Sequence, residues 1–446
     1  MDVTARQRAL LLDQAAEVLN GNWRGDHTVP SAELYPHQWN WDTAFIAVGR
    51  SWFDQDRAQQ EIEHLFTGQW SNGMVPHIVF NPDVSDDAYF PGPAFWHSER
   101  AAHGPHDVAT SGITQPPLHA RAVLDIVEHA TDADAATAFA ERMYPRLVAQ
   151  HGYLGTARDV GGHGLAAIVH PWESGMDNSP AWDADLTELR IPPGALPEYE
   201  RRDLVHANAH DRPSDEAYDR FVYLAAAYRD AGYRHMSQPE TCPFLVEDPL
   251  FNSILGWSLD ALADLAERVG DDPAPHRRAA ERVGRALVSR LWDPGARRFC
   301  ARDVRGDRRS PEDTITSLTP VLDPRLDPTM TDAVVELMDS PEFRPRDDPD
   351  HFMVASFDLG ARRFEPRLYW RGPIWINTDW LLWRGLTLHG HTRVANEIAA
   401  SMVGLVERSG WREYYSPFGG EGFGSHDFSW TAALLIDVLR RSEGAR

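Results

Sequence analysis

Residues 252–292, NSILGWSLDALADLAERVGDDPAPHRRAAERVGRALVSRLW, decide how the fold of this chain is interpreted. Apolar side chains recur at three- and four-residue spacing over 252–269 and again over 275–292, which predicts two amphipathic helices. The connecting segment GDDPAP is short, so the two helices are expected to pair as a hairpin. The same arrangement recurs over 373–389 and 392–408, joined across HGH.

Helical periodicity extends through the rest of the chain. It predicts helices near 6–19, 40–53, 56–70, 117–130, 134–150, 216–231, 252–269, 275–292, 330–338, 373–389, 392–408 and 428–441. About twelve helices in about six hairpins are what an all-α (α/α)₆ barrel requires, although an α-solenoid would show the same periodicity. No repeat of fixed length favours the solenoid. With no linker or low-complexity segment, we expect one domain over residues 1–446.

Five stretches are too long to be tight connections: 71–116, 151–215, 298–329, 341–372 and 409–427. They are predicted to be non-helical, and loops of this size in a compact fold are usually functional. If the hairpins form a ring, these loops can converge over one end of it. That end is where a site is expected.

Composition restricts the partners and the compartment. The 43 Lys and Arg against 67 Asp and Glu give a net charge of −24, which excludes nucleic acid and anionic membrane as partners. Cys242 and Cys300 are the two cysteines, which fits free thiols in a reducing compartment. The first residues, MDVTARQRALLLDQAAEVL, predict an amphipathic helix and not a signal peptide. No apolar run reaches spanning length, so a cytoplasmic protein is expected, and a homo-oligomer remains open.

The richest stretch for chemistry is 171–183, PWESGMDNSPAWD, which holds Glu173, Asp177 and Asp183 among tryptophans. A carboxyl against apolar rings resists ionising, so its pKa rises and it can donate a proton near neutral pH. The alternative is a surface loop whose acids cap a helix. Glu413 and Glu421 supply a second carboxylate from a separate loop, and paired carboxyls of this kind hydrolyse glycosidic bonds.

Several other residues have both a functional and a structural interpretation. The segment YPHQWNWDTAF, 35–45, can form a sugar platform, while its Asp42 can equally cap a helix. Gln115 can bind hydroxyls or cap the helix that follows. His77 is expected to be a satisfied structural residue. Arg212 can hold an anionic substrate group, or it can form a surface ion pair with Asp215 or Asp219.

Metal and serine-nucleophile chemistry have little support in the sequence. There is no HExxH, thiolate cluster, EF-hand spacing or GxSxG. The GEGFG run lacks the strand and helix context of a nucleotide site, so it is interpreted as a flexible loop. No metal and no cofactor are expected.

A set of motifs resembles glycoside hydrolase family 63, and within it the bacterial enzymes that hydrolyse glucosylglycerate and mannosylglycerate. The motifs are YPHQWNWD, MVPHIVF, YFPGP, TSGITQPP, WESGMDNSP, RPSDEAYDR, YWRGPIW and EYYSPFGGEGFGS, so the resemblance covers nearly the whole chain. It implies an (α/α)₆ barrel and hydrolysis with inversion. Asp177 then corresponds to the general acid and Glu413 to the general base, in preference to Glu421.

The same resemblance implies a set of substrate-binding residues. The sugar-binding positions match Tyr35, Trp41, Asp42, Gln115, Trp172, Tyr369 and Trp370. Arg212 and Tyr218 match the pair that holds the glycerate carboxylate, and Tyr89 matches a loop that closes over the sugar. The chain departs from the pattern at His426, Asp427 and Phe428, where a glutamine that contacts substrate is expected.

The sequence therefore predicts an inverting α-glycosidase that splits a small α-glucosyl or α-mannosyl glycerate into sugar and glycerate without a cofactor. One alternative is the same chemistry on a neutral substrate, such as a trehalose-like disaccharide or an α-glucosyl oligosaccharide. The other is a sugar-binding barrel that has lost catalysis. Glucose and mannose are not distinguished.

Overall fold

α-Helices dominate the computed structural model, which describes residues 3–204, 209–234, 242–346, 348 and 350–443. The helices in these residues are α1 Ala5–Gly21, α2 Asn40–Arg50, α3 Gln55–Leu65, α4 Pro93–Trp96, α5 His119–His129, α6 Ala133–Thr156, α7 Asp183–Glu188, α8 Asp215–Asp230, α9 Pro249–Val269, α10 Ala274–Ala286, α11 Pro328–Met338, α12 Ile376–Leu388, α13 Thr392–Ser409 and α14 Ser429–Arg441. The 3₁₀ turns that matter for the site are Pro171–Ser174, Pro180–Trp182 and Ile315–Leu322.

Six elements form a closed inner ring. α2 packs on α5, α5 on α9, α9 on the 3₁₀ segment Ile315–Leu322, that segment on α12, α12 on α14, and α14 back on α2. Six further helices lie outside it, with α1 against α14, α3 against α2, α6 against α5 and α9, α10 against α9, α11 against the 3₁₀ segment and α13 against α12. The predicted all-α (α/α)₆ barrel is confirmed.

The two rings differ in how much of each helix is buried. Every residue of α2 is buried, because an inner helix touches neighbours on all sides. In α1 only Arg8, Leu11, Ala15 and Leu19 are buried, at the three- and four-residue spacing of one helix face. Burial along a single face therefore distinguishes α1 from the fully buried α2.

One inner element differs from the sequence-based prediction. Residues 298–329 were expected to be non-helical, yet Ile315–Leu322 completes the inner ring. All eight of its residues are buried, so it shows no amphipathic stripe, and Pro320 disfavours a regular α-helix there. The helix predicted near 216–231 forms as α8, but it packs on α4 and not in the ring.

The strands are two residues long and serve mainly to clamp loops. They are β1 Gln38–Trp39, β2 Ile78–Val79, β3 Ala167–Ile168, β4 Val246–Glu247, β5 Trp292–Asp293, β6 Arg298–Phe299, β7 Arg302–Asp303, β8 Arg308–Arg309, β9 Tyr414–Tyr415 and β10 Gly422–Phe423. All pairs are antiparallel: β1 with β2, β5 with β6, β9 with β10, and a sheet of order β3-β4-β7-β8. Among the described helices, none is long and apolar enough to cross a membrane.

Candidate active site

One pocket collects residues from the amino ends of the inner helices and from the loops before them. α2, α5 and α14 each supply residues at or just before their first turn, and the long loops between helices supply the rest. The lining consists of Pro30, Tyr35, Trp39, Trp41, Asp42, His77, Tyr89, Gln115, Trp172, Gly175, Asp177, Tyr369, Glu413, Phe428 and Trp430. Its side chains are predominantly aromatic with three carboxyls and one amide, which is the composition expected of a sugar pocket.

Glu413 lies just before β9, and both oxygens of its carboxylate accept hydrogen bonds. Oε1 accepts hydrogen bonds from the Tyr35 hydroxyl at 2.7 Å and from the Tyr369 hydroxyl at 3.3 Å. Oε2 accepts one from the Ser425 amide at 3.1 Å. Gly424 is needed beside it, because a Cβ there would lie 2.2 Å from Oε2. The result is a buried carboxylate, 1% exposed, with a defined orientation.

Arg212 lies next to the Glu413 carboxylate and has guanidinium nitrogens without hydrogen-bond partners among the described residues. Its Nη1 donates to the Tyr35 hydroxyl at 2.9 Å, and Nη2 lies 3.5 Å from Glu413 Oε2. The guanidinium also lies over the Tyr369 ring, 4.6 Å from its centroid. Nε and Nη2 are buried without a hydrogen-bond partner among the described residues. Arg212 is 5% exposed, so the surface ion pair considered for it is wrong.

Asp177 has a different environment. It is only partly buried, and it follows Gly175 in a turn at the end of the 3₁₀ segment Pro171–Ser174. Desolvation raises the pKa of Asp177 to about 7, the Arg212 cation opposes that rise, and the Asp203 and Glu413 carboxylates add to it. A carboxyl with this pKa is protonated in a large fraction of molecules at neutral pH.

Asp42 and Gln115 complete the polar lining. Asp42 lies in the first turn of α2, and its burial raises the pKa of this carboxyl well above the usual range. Gln115, just before α5, accepts a hydrogen bond from the Trp41 amide at 3.4 Å through Oε1. Gln115 therefore binds the amino end of α2, and not the helix that follows it, while it lines the pocket. Asp42 lines the pocket from within the first turn of α2.

Three residues from the expected substrate-binding set do not line the pocket itself. Arg212 adjoins it through Tyr35 and Glu413, as described above. Tyr218 lies behind Trp172, with ring centroids 6.1 Å apart, and its hydroxyl donates to the Phe90 carbonyl. Trp370 stacks on Trp375 at 3.9 Å and lies 6.4 Å from Trp41. Its Nε1 has no hydrogen-bond partner among the described residues.

The other acids of 171–183 are paired with arginines. Glu173 is fully buried and forms a two-pronged ion pair with Arg158, and it also accepts from the Thr114 and Val169 amides. Asp183 is paired with Arg363 and Arg371. Of the three carboxyls in this stretch, only Asp177 lines the pocket.

The final loop shows a similar separation. Glu421 has a side chain that is 68% exposed and lies 3.7 Å from Arg367, away from the pocket. Of the three residues that depart from the family pattern, His426 and Asp427 are exposed, while Phe428 lines the pocket. Phe428 packs edge-on against Tyr35, with centroids 5.9 Å apart. The departure thus places an apolar ring in the site.

Several lining residues were not among the expected site residues: Pro30, Trp39, His77, Gly175, Phe428 and Trp430. Gly175 has φ +73°, and a Cβ there would lie 2.3 Å from Trp41, so only glycine fits this close approach. Trp39 and His77 come together because β1 pairs with β2, with Trp39 opposite Ile78. The available signals were the first tryptophan of QWNWD and a histidine within MVPHIVF.

A grouping of metal-ligand types lies elsewhere in the described part of the chain. Asp26, His27 and His64 each place one ligand atom within 4.8 Å of the others. None of the three lines the pocket.

Comparison with known proteins identifies the family. The family model described as "Mannosylglycerate hydrolase MGH1-like glycoside hydrolase domain" matches residues 35–431. The mannosylglycerate hydrolase of Rubrobacter radiotolerans is 41% identical over 429 residues, 96% of this chain and 96% of that one. The glucosylglycerate hydrolase of Mycolicibacterium hassiacum is 37% identical, over 96% of this chain and 97% of its own.

A solved structure agrees with these relatives. The GH63 mannosylglycerate hydrolase from Thermus thermophilus, in complex with Tris and D-glycerate, superposes with a TM-score of 0.88 at 39% identity, covering 96% of this chain and 99% of that chain. The resemblance inferred from the motifs is confirmed. The chain belongs to the mannosylglycerate hydrolase MGH1-like glycoside hydrolases of family 63.

Proposed function

We propose that this enzyme hydrolyses a 2-O-α-glycosyl glycerate, with glucose or mannose as the sugar, and that it inverts the anomeric centre. The observation that carries the proposal is the pairing in one pocket of Asp177, whose pKa is raised to about 7, with Glu413, which is held by hydroxyl and amide donors. One carboxyl is suited to donating a proton and the other to orienting a water.

The proposed mechanism uses these two groups in one step. Asp177 gives its proton to the glycosidic oxygen as the bond to the anomeric carbon breaks. Glu413 takes a proton from a water that attacks the opposite face of the sugar, so the product is the β-anomer together with free glycerate. Inversion requires the two carboxyl groups to be about 6.5–9.5 Å apart, which leaves room for that water.

The sugar-binding part of the proposal rests on the aromatic lining. Trp41, Trp172 and Tyr369 offer ring faces to the sugar C–H groups, and Asp42 and Gln115 offer oxygens to its hydroxyls. Trp370 supports Trp41 from behind and has an unused indole N–H. Tyr89 lies edge-on to Trp39, with centroids 5.1 Å apart, where a closing loop would contact the sugar.

The glycerate part of the proposal rests on Arg212. Its Nε and Nη2 are buried and lack hydrogen-bond partners among the described residues, which is costly unless a ligand supplies them. A carboxylate matches two adjacent guanidinium N–H groups in two-pronged geometry. Tyr218 lies on α8, three residues beyond its first residue, and supports the pocket through Trp172. Two relatives named above are hydrolases of mannosylglycerate and glucosylglycerate.

The test is proton NMR of the purified protein with glucosylglycerate, mannosylglycerate and trehalose, following the anomeric signals from the first turnover. The β-anomer should appear first from at least one glycerate glycoside. The α-anomer as first product would contradict inversion. Silence on the glycerate glycosides with turnover of trehalose would replace the proposed substrate with a neutral one.

An Arg212→Ala variant separates the charged from the neutral substrate class. If Arg212 holds the glycerate carboxylate, kcat/KM should fall strongly for glycerate glycosides and much less for a neutral α-glycoside. An equal loss on both would indicate that Arg212 acts only through Tyr35 and Glu413. Saccharide binding without any turnover by the wild type would favour the non-catalytic barrel.

We also propose that the whole chain acts as one catalytic domain in the cytoplasm. The main hydrophobic core includes residues from Val3 to Leu439, and both cysteines are free and buried, as expected in a reducing compartment. Separate unfolding transitions in calorimetry would contradict the single domain.

A further inference from the structure

His77 lies at the wall of the pocket, and both of its backbone polar groups are hydrogen-bonded. Its amide donates to the Ile113 carbonyl at 2.6 Å, and its carbonyl accepts from the Asn40 amide at 3.0 Å. The imidazole is nearly parallel to the Trp172 ring, with centroids 6.5 Å apart, and edge-on to Trp39 at 6.4 Å. These contacts place the imidazole beside the Trp172 and Trp39 rings at the pocket wall.

The ring nevertheless has unused hydrogen-bonding capacity. His77 is 5% exposed, and its Nδ1 is buried without a hydrogen-bond partner among the described residues. Three other buried histidines have both ring nitrogens within hydrogen-bond distance of a partner: His119 with Asn40 and Gln150, His151 with Leu147 and Ser258, and His170 with Phe221 and Trp172. The expectation that His77 is a satisfied structural residue is therefore wrong.

The charge state of the ring restricts what it can bind. Burial lowers the pKa of His77 to about 3, and the neighbouring His170 adds to this effect. At neutral pH the imidazole is therefore uncharged and offers one N–H donor and one nitrogen acceptor. A sugar hydroxyl can bind Nδ1 in either tautomer, because it accepts from an N–H and donates to a bare ring nitrogen. A carboxylate would satisfy only the donor.

We propose that His77 is a sugar-specificity residue that binds one ring hydroxyl of the glycosyl unit and so contributes to the choice among hexoses. The inference rests on the proposed function, because it assumes that the pocket takes a hexosyl group. It goes beyond that function in assigning hydroxyl recognition to a residue outside the set expected from the sequence. A buried nitrogen left unpaired costs free energy, so a sugar lacking the matching hydroxyl should be rejected.

The test is a double-variation cycle, in which the His77 side chain and the hydroxyls of the sugar are changed separately and together. Binding of D-glucose, D-mannose and their 2-, 3-, 4- and 6-monodeoxy derivatives is measured by calorimetry for the wild type and for His77→Phe, which keeps an aromatic ring between Trp172 and Trp39. The variant should bind the preferred parent hexose about tenfold more weakly, the effect of one hydrogen bond. One deoxy sugar should bind equally to both proteins and so identify the hydroxyl. His77→Asn, which retains a donor and an acceptor, should recover part of the loss.

His37→Phe is the matched control. His37 also packs on Trp39, at 6.1 Å, but its Nδ1 accepts from the Asn81 amide and it does not line the pocket. If His37→Phe and His77→Phe weaken all sugars by the same factor, the effect comes from Trp39 packing and the proposal is overturned. It is also overturned if every deoxy sugar loses the same factor as its parent in His77→Phe, or if no hexose binds the wild type.

This design separates the inference from the proposed function. Monosaccharide binding needs neither the glycerate group nor turnover. A wild type that binds hexoses with the predicted dependence on His77, but does not hydrolyse glycerate glycosides, would retain the inference and refute the proposed substrate. Hydrolysis of glycerate glycosides with no hydroxyl-specific effect of His77→Phe would do the reverse.

Discussion

Glu413 and Asp177 line the same pocket, but the protein holds them in opposite ways. Glu413 is 1% exposed, and three hydrogen-bond donors bind its oxygens. Arg212 Nη2 also lies 3.5 Å from its Oε2. Asp177 is only partly buried, and desolvation raises its pKa to about 7. One side of the pocket therefore controls the position of a carboxylate, and the other controls whether a carboxyl keeps its proton. Five experiments test this division.

Removing either carboxyl should have the largest effect. Asp177→Asn and Glu413→Gln should each lower kcat by about 10²–10⁴-fold, the usual contribution of a general acid or base. Circular dichroism should show the folded structure retained. Glu421→Gln is the control, since this exposed side chain lies outside the pocket and should leave kcat unchanged.

The same variants distinguish acid from base. A glycosyl fluoride leaves without protonation, so Asp177→Asn should regain much of its rate on the α-glycosyl fluoride of the preferred sugar, whereas Glu413→Gln should not. Fluoride release measures both. Equal recovery by the two variants, or recovery by Glu413→Gln alone, would contradict the assigned roles.

Breaking the buried ion pair of Glu173 with Arg158, in the same stretch as Asp177, should lower the stability of the protein. Glu173→Gln leaves Arg158 buried with an unpaired charge, and loss of one partner of a buried pair costs about 3–5 kcal/mol. Urea unfolding should show this decrease in the free energy of unfolding. A change of under about 1 kcal/mol would show that Arg158 finds another partner. Asp307→Asn, which removes an exposed partner of Arg302, is the matched control with a small effect.

Loosening Glu413 should have a smaller effect than removing it. Tyr35→Phe deletes the shortest hydrogen bond to its carboxylate, at 2.7 Å, and should lower kcat about 10- to 100-fold, as expected for a hydrogen bond to a charged group. Tyr144→Phe, which removes a hydroxyl bonded to Asp271 outside the pocket, should have no such effect. An unchanged kcat in Tyr35→Phe would indicate that the remaining donors orient Glu413 without help.

The smallest effect concerns pH. Because Asp177 must be protonated to act, kcat/KM should fall as the pH rises through about 7, the pKa of this carboxyl. The Arg212 cation lowers that pKa, so Arg212→Gln should raise it and move the alkaline limb to higher pH, by up to about one unit. The pH profile of kcat/KM for the two proteins measures this. If the alkaline limb stays in place or moves to lower pH, Arg212 does not lower the pKa of Asp177.

Much of the fold could be read from the sequence, and the exceptions have physical causes. Outer helices bury one face, so their periodicity is visible, as in α1 and α10. The segment Ile315–Leu322 is buried on every side and contains Pro320, so neither periodicity nor helix propensity indicated its place in the ring. The sequence of α8 predicts a helix, but it does not indicate that this helix lies outside the ring.

The candidate site shows the same limits. The motifs predicted Asp177, Glu413 and Arg212 as site residues, because these residue types in such sequence surroundings are distinctive. His77 was interpreted as structural, because a single histidine carries no information on whether its nitrogens find partners. The surroundings of the imidazole arise from the pairing of β1 with β2 and from Trp172 in the distant 3₁₀ segment Pro171–Ser174.

The order of residues alone specified the helical hairpins, the acidic surface and the motifs of a family 63 glycoside hydrolase, because these are local patterns of spacing and composition. The assembled ring decided which acids face the pocket: Glu173 and Asp183 meet arginines, and Asp177 remains. It also joined Tyr35 to Glu413, residues 378 positions apart. Burial and hydrogen-bond partners arise from contacts between distant segments, and those contacts exist only once the ring has closed.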